Sequence, residues 1–192
     1  MNAASPVDPG LEHRRFTLEE YERMIELGVL REDERLELIE GELIVVTPQG
    51  EEHSGEIGIL TQELVFAYGR TFTVRPQCPL RGAPRSMPAP DLVVVRGDAA
   101  TYLGRYPTGA DVVLLIEVSK TTLAYDRRKA ALYAKMGVPE YWLVDVDGHR
   151  VEVRTGPLPE GEYELTRIVG EAEELPLPGT PVRLAVATLF PR

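Results

Sequence analysis

Three residues in this chain could together cut phosphodiesters: an acid at the mouth of one strand, an acid inside another, and a lysine on the next helix. The first, Asp91, follows Pro90 and opens the run Leu92-Val93-Val94-Val95. Alone, an acid in that setting reads as a turn residue. The second, Glu117, stands in Asp111-Val112-Val113-Leu114-Leu115-Ile116-Glu117-Val118, a run apolar on both faces up to that point. Burying an unpaired carboxylate costs several kcal/mol or forces its pKa up. Glu117 therefore requires a cation, a metal or a shared proton, and no basic residue between Asp111 and Ser119 supplies one locally.

The third is Lys129. With ~100° per residue and Tyr125 as origin, Leu132, Tyr133 and Met136 fall in one sector and Lys129 falls inside it, while Arg127, Arg128 and Lys135 project elsewhere. A lysine in an apolar stripe either snorkels past the core edge or meets an anion. A right-handed return from the Glu117 strand lays this stripe back across the sheet, making Lys129 and Glu117 neighbours. Two carboxylates of this kind suit Mg²⁺, which takes only one or two and keeps several waters. The metal would polarise a scissile phosphate and lower the pKa of bound water. The lysine would orient or deprotonate the attacking water, or neutralise the charged transition state. Without turnover, the same residues form a buried salt-bridge cluster.

The elements that must position these groups follow from patterning. Thr17-Leu18-Glu19-Glu20 fits a capping box for a helix that Gly28 ends. RLELIEGELIVV is two alternating runs joined by Glu40-Gly41, a hairpin. A second helix starts near Glu51 or Glu52, after Thr47-Pro48-Gln49-Gly50, and reaches about Tyr68, with Ile57, Leu60, Leu64 and Tyr68 at helical spacing. Thr71 to Arg75 reads as a short strand, Arg81 to Pro90 as a proline-rich loop, and Asp91 to Val95 as the strand it delivers. Asp111 to Val118 reads as a central strand of a covered sheet. A third helix runs from about Leu123 to Met136. Tyr141 to Asp145 pairs through Val146-Asp147-Gly148 with Val151 to Arg154, and weaker strands follow at Tyr163 to Val169 and around Val182 to Leu184. The expected fold class is α/β: a mixed central sheet flanked by helices, preceded by a helix and a hairpin, with residues 1–15 a loose tail and 16–192 a single domain.

Composition bounds the function. The 192 residues carry 21 basic and 31 acidic side chains, a formal net charge of -10, which argues against non-specific coating of nucleic acid. It leaves room for a local basic groove, for which Arg75, Arg81, Arg85, Arg127 and Arg128 are candidates, although scattered surface arginines are the plainer reading. The single cysteine, Cys78, excludes a disulfide framework and a multi-cysteine zinc site. No apolar run is long enough to span a bilayer, and the N-terminus lacks the apolar centre of a secretory signal, so the expected address is the cytoplasm.

Pro90-Asp91 followed by Glu117-Val118-Ser119 resembles the signature of the PD-(D/E)XK nucleases. The string EVSKTTLAYDRRKAALYAKMGVPEYWLVD is similar to a family of restriction-endonuclease-like proteins in that superfamily, as is the hairpin block RLELIEGELIVVTP with His53 shortly after. The resemblance covers about residues 16–155. It implies a restriction-endonuclease-like fold, Mg²⁺ (or Mn²⁺ as substitute) held by Asp91, Glu117 and the backbone carbonyl of Val118, a nucleic-acid substrate, DNA before RNA, no membrane, and a homo-oligomer.

One position departs from the pattern. The superfamily's usual lysine stands two residues after the glutamate, where this chain has Ser119. Lys120, one further on, points to the opposite face if the strand continues. Members of the superfamily carry the lysine on the following helix instead, and Lys129 matches that placement. Further candidates at the site, beside Lys120, are Glu42, which shares a strand face with Ile44 and Val46, and His53, on one helical face with Ile57, Leu60 and Leu64. A solvated hairpin acid and a satisfied core histidine are their plainer readings. Glu37 and Glu40 rank below them, and Asp126 sits just off the inward stripe. Tyr133, Tyr141 and Trp142 read as core rather than as base-stacking platforms. The function this supports is metal-dependent endonucleolytic hydrolysis by Asp91, Glu117 and Lys129. The alternatives are a decayed DNA-binding or assembly protein of the same fold, and a metal-dependent hydrolase of small phosphorylated substrates.

Overall fold

The computed structural model describes residues 13–31, 34–46, 50–82 and 84–190. The expected tail, apart from residues 13–15, lies outside the described residues, as do Thr47, Pro48 and Gln49 ahead of the second helix. Helix α1 (Leu18–Glu26) begins with the expected capping box: Thr17 Oγ1 accepts from the Glu20 amide and Glu20 Oε2 accepts from the Thr17 amide. Strands β1 (Leu36–Ile39) and β2 (Glu42–Val45) form the hairpin, with Leu36 opposite Val45 and Ile39 opposite Glu42. Its turn places Glu40 and Gly41 at positive φ. A side chain at Gly41 would also collide with the Cβ of Arg15 at 2.7 Å. Leu18, Tyr21, Leu38 and Met87 make a small apolar cluster that seats α1 and the hairpin on the proline-rich loop.

The central sheet has six strands in the order β3 (Phe72–Pro76), β4 (Leu92–Arg96), β5 (Val112–Ser119), β6 (Glu140–Asp145), β7 (Arg150–Pro157) and β8 (Tyr163–Gly170). Only the β5–β6 pair is parallel, joined by α3 (Leu123–Lys135). A parallel neighbour demands such a crossover helix. Helix α2 (Glu51–Tyr68) covers one face of the sheet with Ile57, Leu60, Leu64 and Tyr68. On the other face Ala130 and Tyr133 of α3 pack on Val93, Leu115, Tyr141 and Leu143. Tyr133, Tyr141 and Trp142 are fully buried, as expected of core. A two-stranded sheet of β9 (Glu174–Pro176) and β10 (Arg183–Ala185) closes the chain, and β9 was too short and proline-bound to show a strand pattern. No helix among the described residues is long and apolar enough to cross a membrane.

Of the arginine candidates, Arg127 and Arg128 line one pocket together with Arg154. Arg81 pairs with Glu22, Arg75 donates to the Cys78 sulfur, and Arg127 reaches across to Glu152 on β7. Glu152 is buried and also accepts from Arg154 at 3.0 Å. Burial alone would raise its pKa, but the hydrogen bonds and charges of the two arginines outweigh that and lower it. A group depressed in the fold contributes stability above its unfolded pKa and loses it as pH falls through the folded value. Replacing Glu152 with Gln is expected to lower unfolding free energy by about 1–3 kcal/mol near neutral pH. The deficit should shrink toward zero in acid, where the wild-type carboxylate is protonated too. Denaturant midpoints across that pH range check this; a deficit of constant size would mean that shape, not charge, holds the arginines.

Candidate active site

The register that pairs Leu92 with Ile116 puts Asp91, one residue before β4, beside Glu117. Opposed residues in an antiparallel pair share a face, so both acids point to the α3 side of the sheet. Their backbones and side chains interlock. The Asp91 amide donates to Glu117 Oε2 at 3.2 Å, and the Val118 amide donates to Asp91 Oδ2 at 2.8 Å. A strand residue's amide and carbonyl point to the same side, so the Val118 carbonyl is directed toward Asp91 as well. His53, in the first turn of α2, lies 3.1 Å from Asp91 Oδ1. That hydrogen bond raises the imidazole pKa, against a smaller opposing effect of burial, and the charge of Asp91 adds to it.

Lys129 comes down from α3 onto this pair. Its Nζ is 2.7 Å from Glu117 Oε1 and 3.7 Å from Glu37 Oε2. Exposure is 3% for Glu117, 6% for Asp91, 8% for Lys129 and 4% for Glu37, so the four groups form the floor of a cavity rather than a surface patch. Tyr133 donates to Glu117 Oε1 at 2.5 Å, giving this core tyrosine a second task. Burial drives the Glu117 carboxyl up to about 8, with Lys129 opposing the rise and Asp91 and Asp126 adding to it. Burial would push Lys129 down, but the charges of Glu117 and Glu37 more than reverse it, and the amine is held as an ammonium well beyond neutral pH.

The lesser candidates sort differently. Glu42 lies on the expected face of β2, but beside the turn, where that face runs out to solvent and the carboxylate pairs with Arg15 at 3.0 Å. Its inward direction is therefore corrected. Glu37, two pairs deeper and opposite Ile44, is the hairpin acid that enters the cavity. Burial raises its pKa, and Oε2 has no hydrogen-bond partner. The direction of Lys120 depends on where the strand stops. The strand ends at Ser119, so Lys120 does not continue the alternation to the far face; it lines the cavity mouth and pairs with Glu52 of α2. Ser119 occupies the position of the missing strand lysine, buried with its Oγ 3.3 Å from Thr122 Oγ1. Asp126, placed off the stripe by the helical wheel, is a buried part of the lining and accepts from Thr122 Oγ1 at 2.6 Å. The signal for it was present: it adjoins Tyr125 on the inward side of a helix whose only lysine on that face is Lys129.

The cavity encloses about 620 Å³ between strand β2, α2 and α3. Among the described residues no three His, Cys, Asp or Glu side chains converge as a ready metal cage. The donors present nonetheless fit a hard divalent cation: two interlocked carboxylates, with a backbone carbonyl directed to the same side.

The Uma2 family model, described as "Putative restriction endonuclease", matches residues 18–188. No curated protein matches the chain. Five chains of solved structures do. One is the crystal structure of a "putative nuclease belonging to DUF820" from Anabaena variabilis ATCC 29413, 19% identical, with a TM-score of 0.70 over 91% of this chain and 97% of that one. At that identity the likeness shows a shared fold.

Proposed function

Since the chain belongs to the Uma2 family, we propose that it hydrolyses phosphodiester bonds of nucleic acid, DNA foremost, with Mg²⁺ or Mn²⁺. The observation that carries this reading is the convergence of Asp91, Glu117 and a buried ammonium, 2.7 Å from Glu117, on the floor of one cavity. Asp91, Glu117 and the Val118 carbonyl would hold the ion, whose charge polarises the phosphate and acidifies water. The rest is done by the chain. Lys129, fixed as a cation between Glu117 and Glu37, donates to phosphate oxygens and stabilises the charge that builds on them. Its place between two acids suits it to donate. His53 fixes the orientation of Asp91 through Oδ1, and Tyr133 does the same for Glu117.

A second reading, a non-catalytic nucleic-acid-binding protein of the same fold, draws on two observations: Ser119 stands where the superfamily has lysine, and Asp91 and Glu117 already accept hydrogen bonds from within the protein. Titration calorimetry with Mn²⁺ separates the two. The wild type is expected to bind Mn²⁺, and Asp91→Asn and Glu117→Gln are each expected to lose that heat. Binding untouched by both substitutions would remove the metal site, and no binding by the wild type would favour the second reading.

A further inference from the structure

A second recess opens on the same face of the sheet as the catalytic cavity, and the hydrolytic residues do not use it. Glu117 stands opposite Leu143 of β6, and Leu143 stands opposite Glu152 of β7. Opposed residues share a face, so Glu152 points to the α3 side, two strand spacings or ~10 Å from Glu117. Beside it is a pocket of about 560 Å³, walled by Arg127 and Arg128 of α3, Arg154 of β7 and Thr166 of β8. Its charges do not cancel. The buried Glu152 carboxylate accepts from both Arg127 and Arg154, so it balances only one of the two guanidiniums it holds, and Arg154 Nε has no acceptor. The exposed Arg128 is paired with no acid among the described residues; its guanidinium lies over the ring of Tyr125 at 5.7 Å. Glu162, exposed, is the acid among the lining residues. Three guanidiniums therefore face two carboxylates, in a chain whose net charge is -10.

The same tyrosine ties this pocket to the catalytic cavity, which it lines. Lys129 Nζ is 5.7 Å from the centre of the Tyr125 ring, as is the Arg128 guanidinium carbon. The two cations are thus at most twice that distance apart, the rise of some three nucleotides at ~3.4 Å each along one strand. Resting on the nuclease reading, we infer that the arginine pocket holds a backbone phosphate of the nucleic-acid substrate, a few nucleotides along the strand from the phosphate at Lys129. Guanidinium forks suit phosphate oxygens, and the Thr166 hydroxyl, opposite Arg154, adds a donor from the facing wall. Glu152 acts from below as the buried anchor that keeps Arg127 and Arg154 side by side. A contact of this kind fixes register and carries no sequence information.

Fluorescence anisotropy in EDTA across a salt series, with one labelled DNA sequence as single strand and as duplex, tests this. The wild type is expected to bind at least one form, more weakly as salt rises. Arg128→Gln should weaken that binding about five- to tenfold at low salt. It should also flatten the log–log salt slope by about 0.7 on the single strand or 0.9 on the duplex, the increment for one lost phosphate contact. Arg128→Lys keeps the charge and should keep the slope. Thr166→Glu brings a carboxylate to the facing wall without touching an arginine, and should weaken binding at least as much as Arg128→Gln. Arg183→Gln, the same change of net charge made on β10, should alter neither affinity nor slope. No binding of either form, an unchanged slope in Arg128→Gln, an indifferent Thr166→Glu, or equal losses in Arg128→Gln and Arg183→Gln overturns the inference. Adding Mg²⁺ separates the two readings. Cleavage by a protein whose salt slope ignores Arg128 would remove the phosphate pocket alone, whereas Arg128-dependent binding without any cleavage would remove the nuclease reading alone.

Discussion

Replacing Glu117 with Gln is expected to lower metal-dependent cleavage on the order of 10³-fold or more while leaving the fold intact. The activity loss follows from removing one of two carboxylate donors; the Lewis-acid contribution they support amounts to several kcal/mol, and each ~1.4 kcal/mol is tenfold in rate. The stability outcome is less intuitive and more diagnostic. Glu117 is nearly inaccessible and its carboxyl is pushed up to about 8. An acid whose pKa is raised in the fold contributes stability while protonated and loses that contribution as pH rises from the unfolded value, near 4.5, through the folded one. The wild type should therefore weaken across that window, and the glutamine variant, which has no proton to lose there, should not. Above pH 8 the variant is expected to be at least as stable as the parent. Denaturant midpoints at pH 5 and pH 9, beside a cleavage assay, check both halves. A variant that cleaves normally removes Glu117 from the chemistry, and one that unfolds at pH 9 makes Glu117 a structural ion-pair partner.

Much of this arrangement can be read from residue types because local rules and burial agree. The apolar run ending in Glu117 has one stable home, the covered middle of a sheet, and there the lone acid announces itself. Lys129 is legible for the same reason, since one polar residue in an apolar helical stripe has to be explained. The shared face of Asp91 and Glu117 is a different matter. It depends on the β4–β5 register, with a shift between Val94 and Val95 that no single strand reveals. Glu37 and Glu42 expose the limit most clearly. Both lie on one face of a regular hairpin, and strand periodicity treats them alike. What separates them is where that face crosses the edge of the cavity, and this is set by how α1 and Met87 seat the hairpin on the loop before Asp91. Lys120 turns on a related condition: alternation holds only while the strand lasts, and the strand stops at Ser119.

Replacing Lys129 with Met is expected to be the more damaging change, because it leaves two buried carboxylates without their cation. The ammonium sits 2.7 Å from Glu117 and 3.7 Å from Glu37, with the rings of Tyr125 and Tyr133 at 5.7 and 5.9 Å. Removing one partner from a buried ion pair typically costs about 3–5 kcal/mol, since the charge that remains has neither water nor counter-ion. The acids can escape that penalty by keeping protons, Glu117 up to about 8 even beside Lys129. The destabilisation should therefore be small near pH 5 and should grow as pH rises through 8 and beyond. Pairing Lys129→Met with Glu117→Gln removes the stranded charge and should recover most of the lost stability, a coupling that a cycle of the two single variants and the double one measures directly. Activity should follow a different course. Cleavage is expected to fall by about 10²–10³-fold in Lys129→Met through the lost stabilisation of charge on the phosphate, and the double variant, although refolded in strength, should remain inactive. Stability restored together with cleavage would show that neither Lys129 nor Glu117 takes part in the chemistry. If neither stability nor cleavage changes in Lys129→Met, the ammonium is not part of the site at all.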